Sequence, residues 1–144
     1  MVDVGGKQIT HRTATARSIV SLPVEVLENL TNGDLLTKKG SVFQTAIIAG
    51  IMAAKKTGEL IPLCHPLGLD NCSINISLNE KQEVVIDCTA SITAKTGVEM
   101  EALVGASIAA LTVYDMCKAM SHDIVIKETK LIEKTGGKRD FKRA

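Results

Sequence analysis

The sequence predicts an α+β domain: a four-stranded antiparallel sheet with helices on one face, in the βαββαβ order of ferredoxin-like folds with one helix added. Two observations carry this. Segments 13–22, 71–78, 84–92 and 124–132 alternate polar with small or apolar residues, so each reads as a half-buried strand. Between them lie apolar stretches of helical length that open on capping signals, from Ser41 to about Lys56 and from Thr96 to about Ala119.

Taken in order, the first strand ends at Pro23, which suits the first turn of a short helix reaching about Leu30. Asn32-Gly33-Asp34 is turn chemistry. Ser41-Val-Phe-Gln44 fits a capping box, and Gly58 is placed to stop the helix it opens. The prolines of Ile61-Pro62-Leu-Cys-His65-Pro66 force the residues before them into extended geometry, so this segment is not helical. Cys72, Ile74, Ile76 and Leu78 share one strand face, as do Val84, Ile86, Cys88, Ala90 and Ile92. The short polar link between them makes a hairpin. Thr96-Gly-Val-Glu99 is a second capping box. A single domain spanning 1–144 is expected, with mobile ends at about 1–12 and 134–144.

Composition narrows the function classes. Phe43, Tyr114 and Phe141 are the only aromatics, which argues against a nucleic-acid reader that stacks bases. A formal charge of +1 gives no global attraction to a polyanion. The N-terminus lacks the basic and apolar regions of a signal peptide, and no apolar stretch approaches the roughly 18 residues of a membrane span. Cys64, Cys72, Cys88 and Cys117 form no C-x-x-C pair and follow no metal-ligand spacing. A cytoplasmic protein in a reducing compartment is expected, with three thiols serving as small hydrophobes and Cys64 set apart.

The helix from Thr96 is apolar almost all round, so the sheet cannot cover it alone and a second subunit is expected on its other side. A monomer helix covered by loops is the plainer alternative. Its charged exceptions are Glu99, Glu101, Asp115 and Lys118. Glu99 could simply complete the capping box, and Asp115 with Lys118 could be a routine ion pair three residues apart. Charges among apolar neighbours must be paired or used, which favours a functional pair. Glu101 and Asp115 are 14 residues apart. On a straight helix that is about 21 Å and within about 40° around the axis, too far for one compact reacting centre. Either the ligand is elongated, or Glu101 of one subunit meets Asp115 of another. Lys38 and Lys39 precede a helix N-terminus and could seat a phosphate, although the two-glycine P-loop spacing is missing. Cys64-His65, clamped by prolines, suits holding a ligand better than a metal. The basic tail from Lys134 and the N-terminus with Asp3 and Arg12 could close over an anion.

The segments MVDVGGK, AGIMAAKKTGELIPLCHPL, KTGVEMEAL, AALTVYDMCKA and EKTGGK, in this order through almost the whole chain, resemble the cyclic pyranopterin monophosphate synthases of molybdenum cofactor biosynthesis. The resemblance implies a ferredoxin-like subunit in a homohexamer, a trimer of dimers with active sites at subunit interfaces. It implies a lyase that converts (8S)-3',8-cyclo-7,8-dihydroguanosine 5'-triphosphate to cyclic pyranopterin monophosphate and diphosphate. Asp115 matches the family's active-site aspartate and Lys118 its catalytic lysine, and Lys39 is assigned with them to acid–base work. Leu63, Cys64, His65, Met100 and Glu101 match substrate-binding stretches, and Glu99, Lys134, Asp3 and Arg12 further pocket residues. No cofactor is implied; Mg2+ is left open, through the triphosphate alone. Ser41 and Ile47 depart from a pattern that often has an acidic residue and an arginine there, which puts local ion pairing in doubt. The alternative is a catalytically inactive nucleotide- or pterin-binding regulatory homologue.

Overall fold

The computed structural model describes residues 1–144 and has the expected α+β character, with antiparallel strand pairing throughout. Strand β1 (Thr10–Ser21) is followed by a single helical turn, α1 (Val24–Leu27). The helix expected to reach Leu30 stops early because the Asn29 amide turns back onto the Glu25 and Val26 carbonyls. Three short strands come next: β2 (Leu30–Thr31), β3 (Asp34–Thr37) and β4 (Gly40–Ser41). They lead into α2 (Val42–Ala54) and the turn α3 (Thr57–Leu60). Strands β5 (Asn71–Leu78) and β6 (Val84–Ala94) form the expected hairpin, and α4 (Glu99–Cys117) precedes β7 (Val125–Thr135) and β8 (Phe141–Lys142).

The main sheet runs β5-β6-β1-β7-β8, so the expected four strands become five. The fifth forms because Phe141–Lys142 pairs with Glu133–Lys134, and the Arg143 guanidinium donates to the Leu131 carbonyl at 2.9 Å while lying over the Phe141 ring. A second sheet, β2-β3-β4, was not expected either. Its strands of two to four residues are too short to show alternation; only the turn at Asn32-Gly33, with φ of 50° and 80°, was legible.

Period-two burial explains how the sheet meets the helices. Ala14, Ala16, Ser18 and Val20 of β1 are buried beside Val84, Ile86, Cys88, Ala90 and Ile92 of β6. Against this face pack α4 and α2, which share an extensive contact. Their approach depends on two glycines. A methyl group on Gly50 would stand 2.7 Å from the Gly105 carbonyl and collide with Ile74; one on Gly105 would stand 2.5 Å from Cys88 Sγ. Gly50→Ala is therefore expected to cost about 1–3 kcal/mol by overpacking, read as a lower denaturant midpoint. An unchanged midpoint would mean that the helices can separate without loss.

Neither capping box makes its side-chain bond. At α2, Asp34 takes over, accepting from the Phe43 N–H at 2.8 Å and from the Ser41 hydroxyl. Helix α4 begins only at Glu99, behind Val98. Gly58 lies inside α3, and the stop to α2 comes where the Thr57 hydroxyl donates to the Ala54 carbonyl. Contrary to the sequence expectation, α4 is long and apolar enough to cross a membrane, with a mean hydropathy of 1.3. Its role in the fold is that of a core helix: Ala102, Ala106, Ala109, Ala110 and Val113 are fully buried. The opposite side is not covered by this chain, and Met100 and Leu111 of α4 are exposed there, as are Ile48 and Met52 of α2.

Candidate functional site

The extended segment after α3 is held by local chemistry. Pro62 and Pro66 keep it out of helical geometry. The Cys64 N–H donates to the Ile61 carbonyl at 3.2 Å, and Gly58 lets Pro66 pack close: a methyl there would lie 2.9 Å from Pro66 Cα. This segment faces the first turn of α4 across a cavity of about 310 Å³, walled by Leu63, Cys64, His65, Glu99, Met100 and Glu101. Val2, Val4 and Lys7 of the N-terminal arm close its rim. Glu101 is only 3% exposed, and burial pushes its carboxyl above the usual range, helped by the nearby Glu99 charge and opposed by a backbone N–H. Burial, then the Glu101 charge, also raises the Cys64 thiol.

A second cavity of about 540 Å³ is lined by no hydrophobic residue and gathers Arg12, Glu99, Lys134 and Lys138. Arg12 is braced by donation to the Ala94 and Lys95 carbonyls, both at 3.3 Å, and Lys134 is fixed in β7 opposite Ala14. Lys7, Thr96, Gly97 and Glu99 line both cavities, so the two form one continuous surface. Asp3 lines neither; its carboxylate accepts from the Gly5 N–H at 2.8 Å and shapes the arm carrying Lys7.

The other three residues stand elsewhere. Asp115, near the far end of α4, holds Lys39 Nζ at 3.2 Å on one carboxylate oxygen and Lys118 Nζ at 3.2 Å on the other. Hydrogen bonds from Lys118 and then Lys39 hold the Asp115 carboxyl below its ordinary value. All three side chains are at least half exposed, whereas for Asp115 and Lys118 the apolar helix neighbours had suggested burial. Lys39 reaches Asp115 from the turn between β3 and β4, not from a phosphate seat at the start of α2. That seat is filled by the Asp34 carboxylate. Helix α4 is unbroken from Glu99 to Cys117, so about 21 Å of helix separates Glu101 from Asp115. One chain builds two separate clusters: a walled cavity with cations on its rim, and an exposed cation–carboxylate–cation group.

The sequence model of the MoaC family matches residues 1–137. The chain belongs to the MoaC family. Among its MoaC-family relatives, a cyclic pyranopterin monophosphate synthase of Xanthomonas oryzae is 55% identical over 141 residues, covering 98% of this chain and 86% of the relative. Two longer proteins are similar to it over only part of their length. Molybdenum cofactor biosynthesis protein 1 of Dictyostelium discoideum is 51% identical, covering 96% of this chain and 24% of its own. A molybdenum cofactor biosynthesis bifunctional protein of Synechocystis is also 51% identical, covering 97% and 42%.

Within this MoaC-family chain, sequence reasoning missed Lys7, Thr96 and Gly97 as shared lining residues, although all three lie in segments that carry the resemblance. It also missed Asp34, for which the turn at Asn32-Gly33 gave no sign. Of the two departures from the family pattern, Ser41 bonds to Asp34, and Ile47 packs against the core.

Proposed function

We propose that this chain is a lyase acting on (8S)-3',8-cyclo-7,8-dihydroguanosine 5'-triphosphate, yielding cyclic pyranopterin monophosphate and diphosphate in molybdenum cofactor biosynthesis. Support comes from the near full-length Xanthomonas relative, a cyclic pyranopterin monophosphate synthase. The observation that carries the reading is Asp115 held between Lys39 and Lys118, 3.2 Å from each.

Opening one ring, forming another and closing a cyclic phosphate require staged proton transfers without net redox change. Lys118 and Lys39 are the acid–base groups, and Asp115 orients their ammonium groups. His65, Lys134 and Arg12 supply hydrogen-bond donors and cationic charge for the phosphates, whose charge shifts as diphosphate leaves. Glu101, buried next to Met100, is the candidate partner for the amino edge of the guanine-derived ring, and its cavity is walled by Leu63 and Cys64. Glu99 lies where the two cavities meet, and Asp3 acts indirectly, shaping the arm that carries Lys7.

Because one chain separates the two clusters, this reading calls for subunits that share a site; the resemblance supplies the assembly, a homohexamer built as a trimer of dimers of ferredoxin-like subunits, working in the cytoplasm. Exposed Met100, Leu111, Ile48 and Met52 favour subunit contact along α4 and α2. Incubation with the cyclised triphosphate is expected to release diphosphate and a product that becomes a fluorescent pterin on oxidation. Absence of product at stoichiometric protein would overturn the reading.

A further inference from the structure

We propose that Asp34 is a positioning residue whose carboxylate clamps the β3–β4 hairpin so that Lys39, at its tip, stays on Asp115. The catalytic part of this proposal rests on the function given above; the clamp itself does not.

A capping aspartate ordinarily occupies the N-cap position itself. Here the N-cap is Ser41, and Asp34 lies seven residues upstream. One of its oxygens, Oδ1, accepts from the Leu35 N–H at 2.6 Å and the Phe43 N–H at 2.8 Å, while Oδ2 takes the Ser41 hydroxyl. The carboxylate thus ties the start of the hairpin to its end. Without it the hairpin has two ladder pairs, Leu36 with Ser41 and Thr37 with Gly40, and so short a pair of strands holds little by itself. At the tip, the Lys39 N–H donates to Thr37 Oγ1 at 3.1 Å, and Gly40 turns the chain with φ of 111°. From there Lys39 Nζ reaches both the Asp115 carbonyl and its carboxylate, 76 residues away in sequence. Burial raises the Asp34 carboxyl, but the bonds from Ser41 and from the Phe43, Leu35 and Gln44 N–H groups outweigh it and leave a net lowering. The group therefore stays ionised as an acceptor at neutral pH.

The test reads Asp115 by carbon NMR of its carboxyl. Asp34→Ala is expected to release Lys39, move the Asp115 titration midpoint up toward the ordinary value, and lower kcat by about tenfold to a hundredfold with little change in KM. Asp34→Asn keeps an acceptor for the two N–H groups and is expected to restore both readouts. Should Asp34→Ala fail to fold, Ser41→Ala removes one arm of the clamp and is expected to give a smaller rise. A wild-type Asp115 midpoint in the folded alanine variant, or in Ser41→Ala if that variant is the one used, overturns the clamp. Full activity in Lys39→Ala would instead overturn the catalytic reading and leave the clamp intact.

Discussion

Lys118→Ala is expected to lower kcat by about 10²–10⁴-fold, the range for loss of a positioned acid–base group, while the chain remains folded. The small structural effect follows from the environment. Lys118 caps the C-terminal end of α4, its side chain is 59% exposed, and its ion-pair partner is Asp115. Exposed pairs of this kind are screened by solvent and contribute little, and a cation at a helix C-terminus adds a similarly small amount. Asp115 would keep only Lys39, so its lowered carboxyl should rise. Lys118→Arg separates charge from proton transfer, because a guanidinium keeps the positive charge but does not give up its proton near neutral pH. Arginine is therefore expected to preserve the depressed Asp115 titration and still lose turnover. Normal kcat in the alanine variant, measured by diphosphate release, would remove Lys118 from the proton chemistry.

Legibility in the sequence followed the length of each signal. Strands β1, β5 and β6 alternate over eight or more residues, and α4 is apolar for five turns, so these were readable; β7 was found too, although its burial does not alternate along its length. Strands β2, β3 and β4 span too few residues to alternate, and β8 lies in a basic, glycine-containing tail whose composition suggested no order. The capping boxes matched by spacing, yet at α2 the acceptor came from Asp34 through a fold the local sequence does not encode. The candidate site was legible in halves. Proline geometry singled out Cys64 and His65, the resemblance added Leu63, and the charges interrupting an apolar helix singled out Glu101, Asp115 and Lys118. Helix arithmetic already placed Glu101 and Asp115 too far apart for one compact centre. The contact of Lys39 with Asp115 was not legible, since it depends on how a two-residue turn on one element meets the end of another.

The separation of the two clusters carries the largest consequence. If each working site joins the Leu63–Glu101 wall of one subunit to the Lys39–Asp115–Lys118 cluster of another, Glu101→Gln and Asp115→Asn damage different halves. Each variant alone is then inactive at every site. In a mixed oligomer, some interfaces pair an intact wall with an intact cluster, and random association restores about a quarter of sites in a symmetric assembly. The uncovered faces of α4 and α2, with Met100, Leu111, Ile48 and Met52 exposed, give the subunits a surface on which to associate. The decisive measurement is diphosphate release after equal amounts of the two inactive variants are dissociated and reassembled together, with exchange verified by mass spectrometry of differently tagged chains. Activity returning to about a quarter of the wild-type value is the predicted result; verified exchange with no return of activity would contradict a site shared between subunits.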